Sequence, residues 1–186
     1  MTVLRGVLLG GGLAAAALLP AAAQSLQRIS LQGSGALLFA TREDPDYASK
    51  RRLGYEAQLR YTFGRLSLGA GYQRSTVFAF EDNPLTLALS FGFVEPRYVV
   101  AAGRGFAFYL AGRAGIGKIV CSRPADCPSQ NLRPGVGGGG GLLFRLSRRL
   151  SADLGGQFFQ APALSGPGGD LSSGYAMVRL GLSFGL

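Results

Sequence analysis

Histidine is absent from the 186 residues, cysteine occurs twice, and ten acidic side chains face nineteen basic ones. Without histidine the chain lacks the side chain most often used as a general base and metal ligand, so neither a metal set nor a His-based catalytic constellation is expected. A serine nucleophile would need another base, and no serine sits in a recognisable motif. Beyond Leu19 there is no long uninterrupted apolar run, which leaves no candidate transmembrane helix. If the remainder enters a membrane it must do so as a closed barrel, because only helices and closed barrels satisfy every backbone polar group in lipid.

The N-terminus does carry an apolar run. Arg5 precedes Gly6 to Leu19, then come Pro20-Ala21-Ala22-Ala23 and polar Gln24-Ser25, a pattern that predicts an export signal over residues 1–23, cleaved after Ala23. One domain is expected over 24–186. Removing Arg5 leaves 18 basic against 10 acidic side chains, a formal charge of +8. No dense basic run is interleaved with aromatics, so nucleic acid is not an expected partner.

Alternation with a period of two carries the fold expectation. From Leu53 to Phe63 the odd positions are Leu, Tyr, Ala, Leu, Tyr and Phe, while the even ones include Glu56, Gln58, Arg60 and Thr62, two opposed faces of one strand. The pattern recurs eight times: about Arg28 to Ala40, Leu53 to Phe63, Leu66 to near Phe80, Leu85 to about Val94, Phe106 to about Ile119, Gly135 to Leu146, Leu150 to Gln160, and the last strand ending at Leu186. In the fourth strand Leu85, Leu87, Leu89, Phe91 and Phe93 are read as the apolar outer phase, and Pro96, which has no N–H, as a bulge or irregular end. The connections alternate long and short. The expected fold is therefore all-β, an eight-stranded antiparallel up-and-down transmembrane β-barrel.

The chain closes on Arg179-Leu180-Gly181-Leu182-Ser183-Phe184-Gly185-Leu186. A polar residue, glycine two positions on, and hydrophobic residues at alternate positions resemble the C-terminal assembly signal of bacterial outer-membrane barrels, with Arg179, Gly181, Phe184 and Leu186 carrying the pattern. It departs from the commonest form by ending in Leu186 instead of Phe. Together with strand count and loop alternation, the whole segment after the export signal resembles the small eight-stranded outer-membrane barrels of the OmpA and OmpX type. That resemblance implies residence in the outer membrane of a Gram-negative-type bacterium. The implied partners are membrane lipids, lipopolysaccharide and the barrel assembly machinery, with a monomer expected. It implies no cofactor and no enzymatic role, since barrel lipases, deacylases and omptin-like proteases rely on histidine-containing sites.

Several residues are singled out. Glu56, Arg60, Arg113, Arg145, Asp153 and Arg179 share the polar phase of their strands, which points to an ion-pair network inside the barrel; unpaired charges away from water are costly. A gate in which one arginine exchanges partners between Glu56 and Asp153 is the sharper alternative. Cys121 and Cys127 fall in one long connection, and in an oxidising compartment a local disulfide is favoured over a metal site. Gly112 to Lys118 matches the GxxxxGK core of a phosphate-binding loop, but Ile119 replaces the Ser or Thr and a strand replaces the helix. Gly137 to Gly141 are expected to bend a strand or to pack against interior bulk.

Outward aromatics form two expected girdles: Phe63, Phe91, Phe93, Phe106, Phe144 and Phe184 toward the short turns, with Phe39, Tyr55, Tyr72 and Phe158 toward the long loops. The functional expectation is a structural or surface-interaction barrel with a filled lumen and four outer loops. The alternatives are a small-solute or ion channel, a barrel binding a hydrophobic ligand, and a soluble periplasmic lipocalin-like barrel. Small residues read as inward, Gly69, Gly71, Ala88 and Gly115, leave room for a cavity in the second class.

Overall fold

At Gly64-Arg65 the chain reverses in two residues, with Phe63 paired to Leu66 and Gly64 at φ 63°, a left-handed backbone that glycine adopts without steric cost. Such tight reversals alternate with long connections along the sequence. In the computed structural model, residues 28–40, 52–79, 86–121, 131–160, 164–166, 169–171 and 174–186 are described. The expected export signal over 1–23 and Cys127, the expected partner of Cys121, lie outside them.

The strands are β1 (Ile29–Ala40), β2 (Arg52–Phe63), β3 (Leu66–Ala79), β4 (Thr86–Ala102), β5 (Phe106–Cys121), β6 (Arg133–Arg145), β7 (Leu150–Gln160), β8 (Leu164–Gly166), β9 (Gly169–Leu171) and β10 (Gly174–Gly185). Eight of them close into an antiparallel barrel in the order β1-β10-β7-β6-β5-β4-β3-β2, and β8 and β9 pair separately. Closure joins the first and last strands from Ser30↔Gly185 to Ala40↔Tyr175. The short connections follow β2, β4 and β6. Barrel strands of 11 to 17 residues suffice to cross a membrane's apolar band, which takes about 9–11 residues per tilted strand.

Side chains alternate across the barrel wall with little interruption. Leu31, Phe39, Leu59, Leu110, Leu154, Leu180 and Leu182 face outward and are exposed, whereas Gln32, Gln58, Gln73, Asp153 and Arg179 face inward and are buried. The outer aromatics Phe63, Phe106, Phe144 and Phe184 stand toward the short turns and Phe39, Tyr55, Tyr72 and Phe158 toward the long connections, all exposed.

β4 corrects the expected phase. It runs unbroken from Thr86 through Pro96 to Ala102, and its odd positions point inward, so Leu89, Phe91 and Phe93 are buried in the lumen. Phe91 and Phe93 therefore belong to no outer girdle, and they lie in the long-loop half. Pro96 does not end the strand because its neighbours compensate. Pairing with β3 continues through Glu95↔Gly69 and Pro96↔Leu68, while pairing with β5 skips from Val94↔Ala114 to Arg97↔Ala111, where the missing N–H would have been used. The irregularity falls instead at Val99/Ala101, with another at Thr76/Phe78 in β3.

The glycines are thin places in the wall. On β6, a side chain at Gly137, Gly139 or Gly141 would meet Phe159, Gln157 or Tyr109 respectively. Gly69 and Gly71 face Gln58, Arg60 and Phe93, and Gly115 faces Phe91 and Phe93. The volume these small residues release is filled by neighbouring bulk, so they do not open the cavity expected of them. Ala88, on the even phase of β4, faces outward.

Candidate functional site

Inside the barrel the side chains form layers. Toward the long connections lies an apolar layer containing Leu38, Leu89, Phe91, Ile119, Phe159 and Met177, with Phe91 and Phe159 edge to face at 4.7 Å. Toward the short turns Val99, Ala107, Tyr109 and Ala111 cluster. Between them is a charged layer.

Glu95 is its centre. This wholly buried carboxylate pairs with four guanidinium groups: Arg60 at 2.9 Å, Arg97 at 2.7 Å, Arg113 at 2.5 Å and Arg179 at 2.8 Å. Gln157 Nε2 donates to it as well, at 3.0 Å. Glu56 receives Arg113 at 2.9 Å and Arg179 at 3.2 Å. Asp153 receives Arg97 at 2.8 Å, the Tyr109 hydroxyl at 2.6 Å and Gln32 Nε2 at 2.6 Å. Tyr109 also accepts from Arg179 Nη2 at 3.0 Å, so one phenol relays between a cation and an anion. Gln73 accepts from Arg113 Nη1 at 2.7 Å.

The layer is held at both faces by guanidinium groups against rings. Arg113 lies over Phe93 at 3.9 Å, on the apolar side, and Arg97 lies over Tyr109 at 4.5 Å. Burying charges requires partners to offset desolvation, and both oxygens of Glu95 and Oδ2 of Asp153 accept from more than one donor. Among the described residues, five buried side-chain atoms remain without a protein partner: Gln58 Nε2, Arg60 Nε, Arg97 Nη2, Gln157 Oε1 and Arg179 Nε.

Of the residues singled out in the sequence, Glu56, Arg60, Arg113, Asp153 and Arg179 are brought together here. Arg145 stands half-buried at the short-turn end of β6, its backbone N–H donating to the Gly105 carbonyl. Arg179 and Gly181 face the lumen, whereas Phe184 and Leu186 face outward. Gly112 to Lys118 lies within β5, and no helix occurs among the described residues. Among the described residues no group of histidine, cysteine or carboxylate side chains is placed to hold a metal.

Sequence reasoning missed Glu95 and Arg97. Both flank Pro96, where alternation alone reads as an irregular end, although they continue the odd phase of Leu89, Phe91 and Phe93. The usable signal was that two adjacent charges on one phase cannot face lipid, which fixes the direction of the whole strand.

No protein-family model matches the sequence, and no curated protein sequence does. Solved structures match it in shape. Neisserial surface protein A superposes with a TM-score of 0.63 at 11% identity, over 85% of this chain and 96% of that one. The N-terminal β-barrel domain of Pseudomonas aeruginosa OprF gives 0.56 at 16% identity, over 85% and 97%. This chain has the fold of the small OmpA/OmpX-like outer-membrane barrels. Ail, the attachment invasion locus protein of Yersinia pestis, matches this OmpA/OmpX-like barrel at a TM-score of 0.50 and 14% identity, over 84% and 95%. At such identities the likeness concerns the fold, and the lumen of this OmpA/OmpX-like barrel has to be read from its own residues.

Proposed function

We propose that the chain is a monomeric outer-membrane barrel with a structural or surface-interaction role, its lumen closed by the charged layer and its four long connections turned outward. The observation that carries this reading is the reversal of polarity across the wall. Apolar side chains such as Leu31, Leu59, Leu68, Val94, Leu110, Leu154 and Leu180 are exposed around the barrel, and seven charged side chains are buried inside it. Soluble monomers rarely expose contiguous apolar patches beyond a few hundred Å², and a soluble lipocalin-like barrel would turn the apolar face inward. Lipid is the solvent that suits this arrangement.

The remaining parts of the reading are consistent with that location. Residues 1–23 act as an export signal, Cys121 and Cys127 form a disulfide in an oxidising compartment, and Arg179, Gly181, Phe184 and Leu186 present the terminal strand to the barrel assembly machinery. Exposed apolar wall and rim contact membrane lipids and lipopolysaccharide. The chain requires no cofactor and catalyses no reaction.

Membrane fractionation followed by gel migration with and without heating tests the proposal. A detergent-extracted, heat-modifiable band is expected, and release by osmotic shock would overturn it. A second reading is an ion gate, favoured by the position of Arg179 within reach of Glu56, at 3.2 Å, and Asp153, at 3.9 Å. In planar bilayers, Glu56→Ala then changes conductance, whereas the closed-lumen reading expects it to match the wild type.

A further inference from the structure

The short-turn mouth of the lumen is not used by the reading above. All eight barrel strands line it. Hydroxyl groups come from Ser30 on β1, Thr62 on β2, Ser67 on β3, Ser151 on β7 and Ser183 on β10. Arg60 and Arg97 reach it from the charged layer, and Tyr109 and Val99 complete the wall. The cavity measures about 30 Å³, room for one ion with a water beside it.

Its electrostatics are one-sided. The charged layer holds four guanidinium groups, of Arg60, Arg97, Arg113 and Arg179, against three carboxylates, of Glu56, Glu95 and Asp153. Guanidinium groups do not deprotonate in proteins, so one positive charge is left over. Glu56 and Glu95 are engaged within the charged layer, and Asp153 is already taken up by Arg97, Tyr109 and Gln32. The surplus is expressed in donors: Arg60 Nε and Arg97 Nη2 have no hydrogen-bond partner, although both side chains are almost wholly buried. Beyond the mouth, the short turns contribute Arg65, Arg104, Arg148 and Arg149, and no acidic side chain occurs among the described residues at this end. A cleft lined by one sign of charge and bounded by low-dielectric walls concentrates counter-ions.

We propose that this mouth binds a small inorganic anion of the halide class, held by Arg60 and Arg97 and coordinated by the surrounding serine and threonine hydroxyls. The two guanidinium groups supply charge-assisted hydrogen bonds, and the hydroxyl groups rotate to donate where a neutral solvent shell would have done so. The bound anion balances the charge of the layer above it.

The test uses the complete barrel folded in detergent. Crystals soaked in bromide are expected to show one anomalous peak within hydrogen-bond reach of the Arg60 or Arg97 guanidinium, and chloride NMR on the same preparation is expected to show line broadening that bromide displaces. Ser151→Leu fills the mouth without touching the ion pairs, and should abolish both signals while heat-modifiable migration is retained. Ser183→Leu, from the opposite side of the mouth, is read in the same way and decides the matter should the first variant fail to fold. Absence of a bromide peak at the mouth, peaks confined to the arginines of the short turns, or signals that persist in the folded, filled variants would each overturn the proposal.

Discussion

Glu95 and Arg179 meet side by side across the whole width of the lumen, Nη1 to Oε2 at 2.8 Å and Nη2 to Oε1 at 3.1 Å. Their strands, β4 and β10, are four places apart whichever way round the eight-stranded barrel one counts. A paired, two-point contact between opposite walls works as a strut, and three further arginines brace its carboxylate end.

Glu95→Gln removes the shared anion and leaves four buried guanidinium groups with too few partners. A loss of about 3–5 kcal/mol is expected for breaking a buried ionic cluster on one side. Glu56→Gln, which loses contacts to Arg113 and Arg179 only, should cost less. Equilibrium urea unfolding of the barrel in lipid vesicles measures both, and equal losses would show that Glu95 is not the centre of the cluster.

Leu180 lies on the outward face and is 65% exposed. In a bilayer, Leu180→Arg near mid-strand should cost about 2–4 kcal/mol, and Leu186→Arg at the strand end about 0–1 kcal/mol. Unfolding in vesicles reads this depth dependence. A barrel surrounded by water would tolerate both substitutions, so indifference to Leu180→Arg counts against the lipid-facing assignment.

Two neighbouring glycines on β6 should respond oppositely. A side chain at Gly139 would run into the Gly156 carbonyl and Gln157, whereas at Gly138 the nearest atom, the Ala111 carbonyl oxygen, is 3.5 Å away. Gly139→Val is expected to destabilise by about 1–3 kcal/mol through overpacking. Gly138→Ala should stay within about 0.5 kcal/mol of the wild type. The fraction migrating as a folded band after refolding distinguishes them.

The cysteines offer a chemical prediction. Protein isolated from the cell envelope should resist alkylation at both Cys121 and Cys127 until reduced, as expected of a disulfide in an oxidising compartment. Peptide mass spectrometry with and without reduction provides the measurement, and alkylation without reduction would refute the bridge.

Much of the barrel was legible because β2, β5, β7 and β10 keep an apolar outward phase over most of their length, opposite a phase that carries their buried charges. Leu53 to Phe63 needs only period two to be read. β4 was misread for a physical reason: its inward face changes character half-way, from Leu89, Phe91 and Phe93 to Glu95 and Arg97, as the lumen passes from its apolar layer to its charged one. Local alternation gives two faces but does not say which is inside. Register supplies the answer, since β3 and β5 place Glu95 opposite inward Gly69 and beside Arg113. The site was therefore visible in five of its charged residues, while its central carboxylate depended on contacts between strands far apart in sequence.

The strut has a temporal meaning as well. Arg179 is carried by β10, and Glu95 by a strand made some eighty residues earlier. Until β10 takes its place between β1 and β7, this carboxylate lacks one of its four cations and Tyr109 lacks the guanidinium it accepts from. Completion of the interior thus coincides with completion of the circle, and a sheet that closed on itself without β10 would leave Glu95 and Glu56 each short of a guanidinium partner.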